Sequence, residues 1–460
     1  MPAWLSDILP IAILLLVVTI VVSRLPKVDL GHSPAYLRRR VQNWLTVGLT
    51  YAFLYMGRYN LTVCATALGT RMTNREFGTI LASGSVTYGL SFLVNGPLAD
   101  RFGGRKTIIV SATGSSLMNL MMGAMLAATD TTTKLVLPFS ILYSLNMYFQ
   151  SFGAVSIIKV NSAWFHVRER GTFSGVFGIL ISLGVYFAFD WGGFIAHHAP
   201  LPFVFFIPAG ILALFAILDV VLVRDLPSEA GFGDLDVGDA SSGDDGPRLP
   251  VFEVIKKMLR DPIIITIALV EFCSGYLRDS ITQWYNKFAN LTGTVGFVTH
   301  HFGMLTCTAG IAAGVIAGII SDRVFHSRRG PVATVLYVAL LCGTLTMLAL
   351  LSSPLLGFVA ISVFMFVIGV HGMLSGTASM DFGGKKNAGV AVGIIDGFVY
   401  FGVATSAKVL GWVLPTGDAM KVTANWWTWP AAMIPVAIIG LFLASRLWNA
   451  KPKPRAAAAH

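Results

Sequence analysis

Charge is scarce in this sequence. Asp, Glu, Lys and Arg together make up 12% of the 460 residues, about half the share of a soluble chain. Cysteine is scarcer still. Cys64, Cys273, Cys307 and Cys342 all lie in apolar stretches, at spacings that fit neither a disulfide framework nor a metal site. No glycine-rich phosphate loop of the nucleotide-binding kind occurs, which excludes ATP hydrolysis within this chain as a driving force. No nucleophile–base pair and no metal-ligating cluster stands out. The chain reads as no enzyme, with no cofactor and no metal.

What fills the sequence instead is apolar: 55% of its residues are hydrophobic, in recurring runs long enough to cross ~30 Å of hydrocarbon as helices. A chain of this kind is a polytopic α-helical membrane protein. Its net charge of +10 sits in short loops that alternate along the chain. That pattern sets orientation in a lipid bilayer and is not the footprint of a nucleic-acid binder. Arg101, Arg105 and Lys106, then Arg168 and Arg170, then Arg323, Arg328 and Arg329, then Lys385 and Lys386 mark the cytoplasmic loops.

The first apolar run, Ile8 to Val22, follows a stretch without positive charge and precedes Arg24, Lys27 and Arg38–Arg40. A secretory signal has its charges on the other side. This run is therefore expected to be an extra anchor helix, with the N-terminus outside. Twelve further spans are expected near 43–68, 77–98, 107–128, 135–160, 174–197 and 202–223, then 262–290, 300–321, 333–351, 355–378, 388–414 and 426–447. Between the sets of six lies LPSEAGFGDLDVGDASSGDDGPRLP, rich in Gly, Asp and Ser, as a flexible linker is. The organisation follows: 1–40, extra transmembrane helix and basic connector; 41–224, first six-helix bundle; 225–260, acidic cytoplasmic linker; 261–448, second six-helix bundle; 449–460, basic cytoplasmic tail.

The halves carry a repeat. GPLADRFGGRK from Gly96 and GIISDRVFHSRRG from Gly318 share Gly-x-x-x-Asp-Arg with a basic cluster behind it, 222 residues apart. Carried to Arg58, that offset falls two residues from Arg278. Each arginine then lies on the first helix of its half, ~21 to ~24 Å along it. An arginine at that depth costs ~3 kcal/mol even on a lenient insertion scale. Two at equivalent positions would face each other across a central cavity. The simplest shared task is to clamp one small, doubly charged anion, since the guanidinium fork matches phosphate and stays charged. The alternative is that each pairs with an acid, Glu271, Asp279, Asp190 or Asp396, and only ties helices together.

Other polar residues in the spans are candidates for the same site. Lys159 either snorkels or supplies a third cation. Asn146 and Gln150, one turn apart, either face the cavity or bond between helices. Asp396 and Tyr400 share a face. An aspartate there could balance an arginine or carry a proton. His371 could bind, protonate or pack. Asp100, Arg101 and Arg105, with Asp322 and Arg323, lie too shallow to touch substrate and read as conformational latches at the cytoplasmic face.

GPLADRFGGRK and its second copy resemble the loop motif of the major facilitator superfamily. Tyr51-x-x-x-Tyr55-x-x-Arg58-x-Asn60, Tyr276-Leu277-Arg278 and MLSGTASMDFGGKKNAGVAVGIIDGFVYFG resemble the organophosphate:phosphate antiporter family over about residues 40–450. The resemblance implies an all-α major facilitator fold, two pseudo-symmetric six-helix bundles that rock about a central site in a bacterial inner membrane, and a monomer. It implies exchange of inorganic phosphate for a small phosphorylated metabolite, with Arg58 and Arg278 as clamp and Tyr51, Tyr55 and Tyr400 as cavity aromatics. Tyr276 falls in the same pattern. Members that take glycerol 3-phosphate have a lysine where this chain has Phe92, a histidine where Ala163 aligns and an acid where Cys307 aligns, which tells against that substrate. The rival readings are a proton-coupled organic-anion symporter, a sugar-phosphate sensor and a carrier of lysophospholipid or another amphiphilic phosphate.

Overall fold

The computed structural model describes residues 30–130, 132–166, 169–233, 251–326 and 328–450, with positions 16 and 19 besides. Apart from those two positions, the expected anchor at Ile8–Val22 lies outside the described residues. So do residues 234–250 of the linker, Arg168 and the tail from Lys451.

Twelve long helical segments are described. In the first half they are α1 (Pro34–Cys64), α2 (Asn74–Phe102), α3 (Gly104–Ala128), α4 (Val136–Ser162), α5 (Arg170–Tyr186) and α6 (Phe203–Leu222). In the second they are α7 (Pro262–Thr282), α8 (Phe302–Ile319), α9 (Arg329–Ala349), α10 (Leu356–His371), α11 (Ser379–Val413) and α12 (Thr428–Arg446). Wider π turns extend α5, α8 and α10, at Phe187–Trp191, Ile320–Val324 and Gly372–Ala378.

The starts are written in the sequence. Ser33 caps α1 by accepting the Tyr36 amide, with Pro34 in the first turn. Thr73 and Glu76 form a capping box on α2, and Asp261 caps α7 ahead of Pro262. α1 begins nine residues before the expected span, so the Arg38–Arg40 cluster belongs to its first turns rather than to a connector. There Arg39 donates to the Leu222 carbonyl (2.7 Å) and Arg40 pairs with Glu169 (2.8 Å).

Ten of the twelve segments are long and apolar enough to cross a membrane. The two that miss that standard are α1 and α7, which carry Arg58 and Arg278. Both are nonetheless packed inside the bundle, with Leu54, Leu61, Ile267 and Leu277 all buried. Their polar residues are therefore kept from lipid by neighbouring helices, whereas Leu117, Ile217 and Ile438 on other helices stay exposed.

The halves close on each other at the end that carries Asn74. Gly78 lets α2 press against α11, where a Cβ would overlap the Ala407 carbonyl oxygen. Asn74 donates to the Pro415 carbonyl (2.8 Å), and Thr62 donates to Gln283. Phe77 meets Trp284 edge-on at 5.4 Å. The Asp190 carboxylate accepts the first amides of α8, from Gly303 (2.7 Å) and Met304 (3.0 Å), so α5 of one half caps a helix of the other. Toward the Asp100 end the same helices part. Gly96 on α2 and Gly393 on α11 face open space, and Leu93 and Val94 are exposed.

Candidate substrate site

Arg58 and Arg278 line one cavity at the junction of the halves. Asp279, Tyr59, Ser85, Tyr143, Gln283 and Tyr400 complete much of its wall. The guanidinium of Arg58 is buried, and every partner it finds is neutral. Its Nε donates to Gln150 (2.9 Å), Nη1 to the Tyr400 hydroxyl (3.0 Å) and Nη2 to the Tyr88 hydroxyl (3.2 Å). It also stacks over the rings of Tyr55 (4.6 Å) and Tyr88 (4.8 Å). Each Nη keeps an N–H with no partner among the described residues.

Arg278 is half-buried over the Tyr400 ring at 5.9 Å. No carboxylate of a described residue lies within ion-pairing distance of either arginine. Most of the acids named as alternative partners are engaged elsewhere. Glu271 bonds His371 (2.9 Å), Asp396 accepts the Ser375 hydroxyl and Asp190 caps α8, while Asp279 is buried and forms no ion pair with a described residue.

Behind Arg58 stands a chain of amides. Asn146 Oδ1 accepts from Ser115 (2.6 Å), Asn119 (3.2 Å) and Gln150 (3.3 Å), while its Nδ2 donates to the Gly57 carbonyl (2.8 Å). Asn60 bonds Asn119. Gln150 is thus held so that its oxygen meets Arg58. Of the two uses considered for this pair, Asn146 acts between helices. Gln150 touches the arginine directly.

The remaining candidates spread out. Tyr55 is under Arg58. Tyr51 packs edge-on against Tyr55 at 5.6 Å, a layer farther from the cavity. Tyr276 is buried in the apolar core of the second half, off the cavity wall. His371 and Asp396 gather with Glu271 beside the cavity wall. Lys159 reaches Asp100 (2.8 Å) at the open end and stands apart from the arginines. The shallow cluster finds its partners within its own half. Arg105 donates to the Val220 carbonyl (2.6 Å), its amide to Asp225 (2.8 Å), and Arg101 is exposed over Phe102. Arg323 is exposed on the π turn after α8, where Asp322 also lies.

Tyr88, Tyr59, Tyr143 and Gln283 escaped the reading of the sequence. Tyr88 had a signal. With Phe92 it forms an aromatic pair one turn apart on α2, and both meet Tyr400, at 4.1 and 6.3 Å. Phe92 is the one departure from the glycerol-phosphate pattern that adjoins the site. Ala163 caps the end of α4, and Cys307 is buried with Ile179 and Met304.

Replacing Gln150 by Glu puts a charge beside Arg58 with almost no change of shape. Phosphate affinity is expected to fall roughly tenfold or more, with thermal stability held, in titrations of purified protein. An unchanged affinity would remove Gln150 from the site.

The sequence model of the Major Facilitator Superfamily matches residues 47–407. The chain belongs to this superfamily. It is 26% identical over 441 residues to the glycerol-3-phosphate transporter of Bacillus subtilis (strain 168), with 92% of this chain and 95% of that protein covered. It is 27% identical to the membrane sensor protein UhpC of Salmonella typhimurium, with 87% and 89% covered. It is 24% identical to the hexose-6-phosphate:phosphate antiporter of Escherichia coli K12, with 91% and 92% covered. Among solved structures it is similar to a bacterial homologue of the human lysosomal transporter Spinster in an inward-facing, unoccupied conformation, with TM-score 0.72, 14% identity, and 91% and 98% covered. It is therefore a multi-pass membrane protein of a transporter superfamily, and these relatives are carriers and a sensor rather than enzymes.

Proposed function

We propose that this chain exchanges a small phosphorylated metabolite for inorganic phosphate by alternating access. One observation carries the reading: Arg58 and Arg278, from equivalent helices of the two halves, share a cavity, and neither forms an ion pair with an acid among the described residues, although Asp279 lines the same cavity. Two unneutralised guanidinium groups in a partly desolvated cavity attract a dianion, and their planar forks favour phosphate over a spherical ion. The names of the relatives, a glycerol-3-phosphate transporter and a hexose-6-phosphate:phosphate antiporter, agree with that chemistry.

The basic loops support a cytoplasmic position for the Asp100 end. The arrangement with a sealed Asn74 end is then the cytoplasm-facing state. An anion that bonds Arg58 and Arg278 together would draw the halves closer on that side and allow the seal to open. Asp100, Lys159 and Arg105, bonded within the first half, would stiffen the loop that has to move.

The test is counterflow. Proteoliposomes loaded with unlabelled phosphate should take up labelled phosphate, and phosphorylated sugars or glycerol phosphates outside should compete. Absence of both uptake and competition, in protein that is folded and inserted, would reject the proposal. The relation to a membrane sensor supports one second reading: phosphate ester binds and no flux follows.

A further inference from the structure

The cavity has a neighbour that the anion does not touch. Glu271 on α7 is completely buried, with 0% of its side chain exposed. One carboxylate oxygen meets the Nδ1 of His371 on α10 at 2.9 Å. The other, Oε1, has no hydrogen-bond partner among the described residues. Asp396 on α11 accepts from Ser375 and lies close enough to interact with both His371 and Glu271. The other groups that face the cluster are Arg278 and Cys273 on α7 and Tyr337 on α9, whose hydroxyl donates to the Val270 carbonyl (2.6 Å).

A structural ion pair would satisfy both carboxylate oxygens. A carboxylate sealed from water with one oxygen unbonded is costly as a bare anion. Taking a proton on the carboxylate removes the charge and with it most of the cost. His371 gives the proton a route, because 30% of its side chain is exposed while Glu271 is closed off. One acid bonded to the imidazole and a second within electrostatic reach of it also give more than one proton arrangement.

We infer that Glu271, His371 and Asp396 form a proton-binding site coupled to anion occupancy of the Arg58–Arg278 cavity. The inference rests on the proposed function for its partner anion. Glu271 is seven residues before Arg278, two turns along the same face, or ~10 Å. With the cavity empty, Arg58, Arg278 and a protonated His371 exceed the charge of Glu271 and Asp396. A dianion at the arginines reverses that balance. The His371 imidazolium then passes its Nδ1 proton to the Glu271 oxygen it faces, so that N–H bond breaks as an O–H bond forms, and the ring regains a proton at the freed nitrogen from hydronium, which is left as water. The net change is one proton taken up from solvent. By linkage, phosphate raises the affinity for the proton and the proton raises the affinity for phosphate.

Two measurements test this. Phosphate titrated into purified protein, in two buffers of different ionisation enthalpy, gives the protons taken up per phosphate bound. Glu271→Gln should lose most of a proton from that count, and His371→Gln should lower it too. Phosphate's own ionisation is common to every variant and cancels in the comparison. Infrared spectra of the ligand-free protein should show a buried carboxyl stretching band that titrates with pH, shifts in heavy water and is missing in Glu271→Gln or weakened in Asp396→Asn. Equal proton counts in wild type and Glu271→Gln, with phosphate bound by both, would overturn the inference. So would a spectrum without a titrating carboxyl band in this cluster. If phosphate does not bind at all, the reading of the arginine cavity fails, and the infrared band still decides the proton site.

Discussion

Arg58→Lys and Arg278→Lys should each abolish most phosphate exchange, although each keeps its charge. Arg58 spends three N–H directions on Gln150, Tyr400 and Tyr88 and still has donors for a ligand. A lysine ammonium cannot hold those acceptors and a phosphate at once, and it has no planar fork to match two phosphate oxygens. Arg278 lies over Tyr400, the same tyrosine that bonds Arg58, so the two cations are set relative to each other through one ring. Replacement of either by alanine should weaken phosphate binding by at least ~2 kcal/mol, roughly thirtyfold. Flux near wild type in Arg58→Lys would show that charge alone suffices.

The second large effect belongs to the seal. Gly78→Val should hold the Asn74 end open, because α2 and α11 meet backbone to backbone there and any side chain overlaps Ala407 and crowds Gly411. Gly275 makes an equally close contact, with the Val399 carbonyl oxygen, but wholly inside the second half. A side chain at Gly275 should therefore destabilise the fold, while one at Gly78 should leave each half intact and prevent closure. Maleimide labelling of a cysteine introduced at Ser85, which lines the cavity behind the seal, reads the difference. Gly78→Val should speed labelling severalfold with nearly unchanged melting of the protein. Unchanged labelling would mean that this contact does not gate the cavity.

Much of the architecture was legible in the sequence because lipid imposes a simple code. Apolar run lengths placed all twelve described helices to within a few residues at most ends, and the Gly-x-x-x-Asp-Arg repeat related the halves. The start of α1 was missed because Arg38–Arg40 look like a loop. Their charges are carried in helix by Glu169 and the Leu222 carbonyl. The paired arginines stood out because charge in an apolar run is costly. Tyr88, Tyr143 and Tyr59 did not, since a tyrosine in such a run costs little and which way it faces depends on helix rotation. Lys159 misled for the opposite reason. Its charge drew notice, but its long stem takes the ammonium out to Asp100. Glu271 was legible as an acid near Arg278, yet its partner, His371, is 100 residues away on another helix.

The central claim is that Arg58 and Arg278 act on one anion rather than on acids of the protein. The most direct measurement is phosphate affinity in Arg58→Ala, Arg278→Ala, the double variant, and Arg278→Ala combined with Glu271→Ala. The account predicts that the double arginine variant is little weaker than the worse single, because residues that grip one ligand as a unit are not additive. It also predicts that removing Glu271 leaves the Arg278→Ala loss in place. Additive losses in the double arginine variant, or phosphate binding restored in Arg278→Ala with Glu271→Ala, would contradict it.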